Sequence, residues 1–135
     1  MLIEDSQFYD NYAESVNSGV TMLSSHLTAK KIDIDYREPL PAGLNIKRVD
    51  AGFFMLMLES ELVLGENSTI SNCTGLSSAV LSASSLSKVT LYDGVEITNN
   101  TALSETGNIL GLTNVRLSSI SKTSFKNNKF PNIQI

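Results

Sequence analysis

Ile97-Thr98-Asn99-Asn100 is followed 28 residues on by Phe125-Lys126-Asn127-Asn128, and the phrase stands earlier as Phe8-Tyr9-Asp10-Asn11 and Ile70-Ser71-Asn72-Cys73. Its apolar first residues are 62, 27 and 28 positions apart, and 62 is close to twice 31. Self-similarity at a period of roughly 20 to 50 residues marks a stacked repeat architecture, because one unit of that size cannot bury its apolar face alone.

Other parts of the unit recur. Gly19-Val20, Ala79-Val80 and Asn108-Ile109 follow the phrase by similar distances, and the triplets Leu62-Val63-Leu64, Val89-Thr90-Leu91 and Val115-Arg116-Leu117 precede it. Apolar residues alternate with polar ones in runs bounded by Ser, Asn and Gly, which is strand patterning of period two. Strands this short pair with equivalent strands of the next turn about 4.8 Å away and build a continuous apolar column. We therefore expect an all-β chain: a right-handed single-stranded parallel β-helix of about four to five coils, with crossovers of the usual hand.

The phrase Phe-x-x-Asn, with a second motif surviving as Ser18-Gly19-Val20, Ser78-Ala79-Val80 and Gly107-Asn108-Ile109, resembles the repeats of pectin-lyase-like β-helical surface proteins. Chlamydial polymorphic outer-membrane proteins and large ciliate surface proteins are of this kind. The resemblance implies a structural or adhesion-type role at an extracellular or cell-surface location. It covers most of residues 1 to 30 and 60 to 130.

Composition sets further bounds. The 135 residues suit one domain spanning 1–135, and 41% hydrophobic content belongs to a globular class. A net charge of -4 without a basic track argues against nucleic-acid binding. Gly52 to Leu58 is the most apolar run, far short of the about 20 residues of a spanning helix. No leader pattern follows Met1, and neither end carries an evident cap. Open solenoid edges pair with further strands, so we expect a segment of a longer protein. Arg37-Glu38-Pro39-Leu40-Pro41-Ala42-Gly43 interrupts strand pairing, and an irregular insertion is expected around residues 36–61; Leu44 to Leu64 reads as a degenerate coil or a short helix laid on the solenoid, and a buried strand is the preferred reading of Phe53 to Leu58. Ile32-Asp33-Ile34 reads as the last strand of the first coil.

The chemistry-bearing residues have structural readings. Asn11, Asn100 and Asn128 suit tight turns and stacked amide ladders, and Cys73, the only cysteine, fills a slot of the same ladder. It can form no intrachain disulfide. The sequons at Asn67, Asn72 and Asn99 fall in a chain rich in Asn, Ser and Thr, where such triplets arise by composition. Hydrolases of the β-helix class place two or more carboxylates about a scissile bond; the polygalacturonase type draws them from Asn-Thr-Asp, Asp-Asp and Gly-His-Gly phrases. This chain has no Asp-Asp pair, and its single histidine, His26, lies between Ser25 and Leu27. The pectate-lyase phrase Arg-x-Pro-x-x-Arg is matched at Arg37 and Pro39 but has Ala42 at its second arginine. Asp33 and Asp35 share a strand face and offer oxygen ligands of the type a hard cation takes; exposed acids on a strand also guard against edge pairing.

The expectation is a non-catalytic segment with no catalytic, cofactor or metal residues. Its partners would be neighbouring β-helical coils or a protein, with carbohydrate as a further class. The alternative is a polysaccharide-active or carbohydrate-binding segment with its site around Asp33, Asp35, Arg37 and Lys47.

Overall fold

A computed structural model describes residues 1–11, 15–17, 19–36 and 48–129. The first turn runs through β1 (Leu2–Glu4), β2 (Gln7–Tyr9), β3 (Ser15–Asn17) and β4 (Val20–Leu23). The second repeats the order as β5 (His26–Lys30), β6 (Asp33–Asp35), β7 (Arg48–Ala51) and β8 (Phe54–Met57). The third has β9 (Glu61–Leu64), β10 (Thr69–Ser71), β11 (Thr74–Gly75) and β12 (Ser78–Ala83). The fourth has β13 (Lys88–Leu91), β14 (Glu96–Thr98), β15 (Thr101–Ala102) and β16 (Asn108–Leu112), and a fifth begins with β17 (Ser119–Ile120) and β18 (Ser124–Lys126).

Equivalent strands pair in parallel. Sheet A is β1-β5-β9-β13-β17, sheet B is β2-β6-β10-β14-β18, and sheet C stacks β3 and β4 on β7 and β8, then on β12 and β16. The chain is a parallel β-solenoid of about four turns, all-β among the described residues, as the repeat predicts.

The phrase lies on sheet B, where Phe8 pairs Ile34, Ile34 pairs Ile70, Ile70 pairs Ile97 and Ile97 pairs Phe125. The expected column forms, with Ile34 as an additional member. Ile32-Asp33-Ile34 therefore belongs to the second turn, and the 62-residue interval comprises steps of 26 and 36. Seven of the ten extra residues fall between β6 and β7, where residues 37–47 lie outside the described residues, and the other three are single additions further along the turn. Residues 48–61 are not an irregular insertion: β7, with one bulge at Asp50 against β3, and β8 take their places in sheet C. The expected strand appears there as Phe54–Met57. It shows no clean period at its start because Phe53 and Phe54 are both buried where the chain enters the strand.

Inward residues make columns. Leu27, Leu62 and Val89 stack along sheet A, and beside them Ala29, Leu64 and Leu91. Ile34, Ile70 and Ile97 do so along sheet B, and Leu56 and Ala83 along sheet C; all are buried. Each fully buried large aliphatic side chain contributes about 1.5–3 kcal/mol. Phe53 packs edge-on to Phe8 at 5.5 Å between centroids and to Phe54 at 4.8 Å. A Cβ on Gly19 would stand 2.6 Å from the Phe53 ring, so the first turn leaves that space to the second. Val115-Arg116-Leu117 is not the triplet equivalent to Val89-Thr90-Leu91: Thr90 pairs Ser119, Leu91 pairs Ile120, and Leu117 is 92% exposed.

Corners use left-handed backbone. Between sheets A and B it is adopted by Asp5, Lys31, Asn67, Gly94 and Lys122, and between B and C by Asp10, Asn72, Asn99 and Asn127. Asn and Asp enter this region at least cost because their short polar side chains bond locally. The turn residue is thus the third of the phrase, one before the expected Asn11, Asn100 and Asn128. In the second turn Tyr36 occupies the third place; it is buried, and its hydroxyl donates to the Gly52 carbonyl at 3.4 Å.

Candidate functional site

The outer face of sheet B carries the acids singled out from the sequence. Period two places Asp33 and Asp35 on one face, flanking buried Ile34. Asp33 Oδ2 accepts a hydrogen bond from the Tyr9 hydroxyl of the first turn at 2.9 Å, and its Oδ1 accepts from the Thr69 hydroxyl of the third at 2.6 Å. Asp35 Oδ1 accepts from Asn72 Nδ2 at 2.7 Å. Both carboxylates thus cross-link successive turns. Among the described residues, no group of three or more His, Cys, Asp or Glu side chains converges as a metal cage would. Arg37 and Lys47, the other members of the expected site, lie outside the described residues.

One corner away the fourth residues of the last three phrases, Cys73, Asn100 and Asn128, point inward. Asn100 is buried, its Nδ2 donates to the Ile70 carbonyl at 3.0 Å and to Asn128 Oδ1 at 3.1 Å, and its Oδ1 accepts the Cys73 N–H at 2.9 Å. Asn128 repeats this one turn on, accepting the Asn100 N–H at 2.9 Å and donating to the Ile97 carbonyl at 2.9 Å. This is the expected ladder. Asn11 is exposed, whereas Cys73 occupies its slot as an enclosed thiol 3.6 Å from the Ser71 carbonyl. Burial, and secondarily the charge of Asp35, push that thiol far up, so it is protonated at neutral pH and a poor nucleophile.

Sheet A shows two arrangements that the sequence did not reveal. Glu61 sits between His26, with Nδ1 to Oε2 at 3.2 Å, and Lys88, with Nζ to Oε1 at 3.2 Å. The Lys88 hydrogen bond, helped by His26 and opposed by partial desolvation, holds the Glu61 carboxyl below its ordinary range. His26 is exposed beside its turn, as expected, and Nε2 also reaches Thr28 Oγ1 at 3.2 Å. The second is a surface groove of about 500 Å3 bordered by Thr28, Lys30, Val63, Gly65, Asn67 and Tyr92. In its column Gly65 lies between Lys30 and Tyr92, and the Lys30 stem packs over it, its Cγ 2.6 Å from where a Cβ would stand. Tyr92, 51% exposed, borders it on the fourth turn, and on the other side Lys30 and Lys31, paired with Glu4 and Asp5, stand with the Glu66 carboxylate, so the groove carries charges of both signs. A period-two pattern marks which residues point outward, but only the turn-to-turn register brings Lys30, Gly65 and Tyr92 together.

Comparison of the chain with family models, with curated proteins and with solved structures finds no match.

Proposed function

We propose that this chain is a non-catalytic structural segment of a β-solenoid of the pectin-lyase-like, surface-protein kind, offering its solvent-facing sheets to a protein or glycan partner. The observation that carries the reading is the use of Asp33. Both of its oxygens accept hydrogen bonds from neighbouring turns, so the carboxylate best placed for catalysis or cation binding serves instead as an inter-turn cross-link. The Phe-x-x-Asn phrase adds the likeness to adhesion-type repeats.

The test uses the full chain with acidic polysaccharides, with and without calcium. The reading expects no chain cleavage and no calcium-dependent shift in melting, both in the wild type and in the double variant Asp33→Asn, Arg37→Ala. Cleavage lost in that variant would overturn it.

The second reading, a carbohydrate-binding segment, is favoured by the groove at Gly65. An exposed tyrosine ring beside an amide, a carboxylate and two lysines suits a sugar, whose apolar face packs on the ring while its polar substituents meet the amide and the charged groups. Calorimetric titration with short uronic-acid oligomers distinguishes the readings. Binding that disappears in Tyr92→Ala and in Lys30→Ala supports a carbohydrate site at this groove, and no binding by the wild type overturns that second reading.

A further inference from the structure

We propose that Asn67 is an N-glycosylation site, and that the first sugar of its glycan lies in the groove at Gly65 against the ring of Tyr92. The modification rests on the surface-protein reading above only for passage through a secretory pathway; the seat for the sugar does not rest on it.

The sequons supply the first argument. Composition alone would scatter Asn-x-Ser/Thr triplets over inward and outward positions alike. The inward asparagines Asn100 and Asn128 head none, whereas Asn67, Asn72 and Asn99 each head one. All three stand exposed at corners in left-handed backbone, with φ of 56°, 58° and 56°. A bulky, solvated glycan is tolerated at such a corner and at no inward position.

The state of each amide supplies the second. Asn72 Nδ2 already donates to Asp35 as an inter-turn cross-link at 2.7 Å. Among the described residues no hydrogen bond engages the side-chain amide of Asn67. The rest of its triplet is occupied: Ser68 is buried, and Thr69 Oγ1 donates to Asp33. The equivalent corner of the fourth turn is Gly94, which puts no side chain beside the amide; a Cβ there would come 3.9 Å from Asn67 Oδ1.

The groove supplies the third. Asn67 and Tyr92 border it together. The Tyr92 N–H donates to the Leu64 carbonyl at 3.0 Å, which sets Tyr92 beside Gly65, two positions before Asn67. Asn99, by contrast, stands between Asn72 and Asn127 of the adjacent turns, which offer it amides and no ring. The groove's volume of about 500 Å3 falls within the roughly 300–1,000 Å3 that holds a small organic ligand. An N-acetylhexosamine presents an apolar face to the Tyr92 ring, and its hydroxyl and acetamido groups meet Lys30 and Glu66.

In the transfer, Asn67 Nδ2 attacks C1 of a lipid-pyrophosphate-linked oligosaccharide. The N–C1 bond forms as the C1–O bond to the pyrophosphate breaks. The amide gives up one proton, the lipid pyrophosphate leaves, and nothing is oxidised or reduced. The secretory pathway supplies the donor and its transferase.

The experiment secretes the full chain from cultured animal cells behind a supplied leader, so that the result does not depend on native location. Peptide mass spectrometry after enzymatic glycan release in heavy-oxygen water should mark Asn67. An unmodified Asn67 overturns the proposal, whatever the state of Asn72 and Asn99. The seat is tested by melting temperature in a double-variant cycle of Asn67→Gln and Tyr92→Ala. In the secreted chain each substitution removes the same contact between sugar and ring. The loss in the double variant should therefore fall short of the summed single losses by about 2–6 °C. In the chain made in bacteria without glycans, the two losses should add. Losses that add in both preparations, or that couple equally in both, overturn the proposal. Titration of the bacterial chain with free sugars is a separate measurement, so the carbohydrate-binding reading can fail while this one stands, and the reverse.

Discussion

Replacing Asn100 by alanine tests the internal amide ladder, which bonds three turns through one side chain. The variant leaves the buried Cys73 N–H without its acceptor and removes donors from the Ile70 carbonyl and Asn128 Oδ1. A buried donor stripped of its partner costs about 1–3 kcal/mol, and each of the other two bonds contributes about 1 kcal/mol. The expected loss is thus about 3–5 kcal/mol. With a urea dependence of about 2 kcal/mol per molar, the unfolding midpoint should fall by about 1.5–2.5 M. Asn99→Ala, at the exposed left-handed corner next to it, is the control, and its cost should be about 1 kcal/mol from backbone strain. Asn100→Asp keeps an acceptor for Cys73 but removes both donations and buries a charge; it should be at least as damaging as alanine at neutral pH and recover partly in acid. The reasoning is refuted if Asn100→Ala costs less than about 1 kcal/mol, or no more than Asn99→Ala.

Truncation along one column should depend on the turn: Ile97→Ala should cost about 2–5 kcal/mol in urea unfolding, whereas half-exposed Phe125→Ala should fall below the about 3–5 kcal/mol of a buried phenylalanine. Equal costs would show that the last turn is as enclosed as the fourth. Because the fold lowers the Glu61 carboxyl, its ionised form stabilises the chain above the ordinary value of 4.5, and this contribution disappears as pH falls through the lower folded value. The melting-temperature gap between wild type and Glu61→Gln should therefore narrow below that pH, and a gap that widens in acid would contradict the ion-pair column. Ser87 has a buried hydroxyl with no partner in the structure, so Ser87→Ala should be neutral or stabilising by up to about 1 kcal/mol in the same unfolding assay; a loss above that would mean the hydroxyl is bonded.

Legibility in the sequence followed the strength of the local signal. Phe8, Ile70, Ile97 and Phe125 could be aligned because Asn or Asp follows each two positions later, marking the left-handed corner. Ile34 escaped because Tyr36 stands at that position and turns inward. Val115 and Leu117 misled because an apolar, any, apolar triplet was weighted above position. The strand that forms is Ser119–Ile120, in which Ile120 follows Leu91 in its column. Period two placed Asp33 and Asp35 on a common face, but their partners Tyr9, Thr69 and Asn72 are 24 to 37 residues away. The unequal second turn concealed that register, and with it the His26, Glu61 and Lys88 column and the groove at Gly65.

The amide ladder also has a direction. Every side-chain oxygen in it faces the preceding turn: Asn128 receives the N–H of Asn100, and Asn100 receives that of Cys73. The turns are therefore not interchangeable bricks. A duplicated fourth turn inserted after itself would present a new asparagine to the one before and preserve the sequence of donations. A copy of the third turn in that place would set a thiol where Asn100 needs an oxygen, stranding a buried N–H. Growth of such a solenoid by duplication is in this way grammatical: the residue at one inward position of each new turn decides which turn can stand before it.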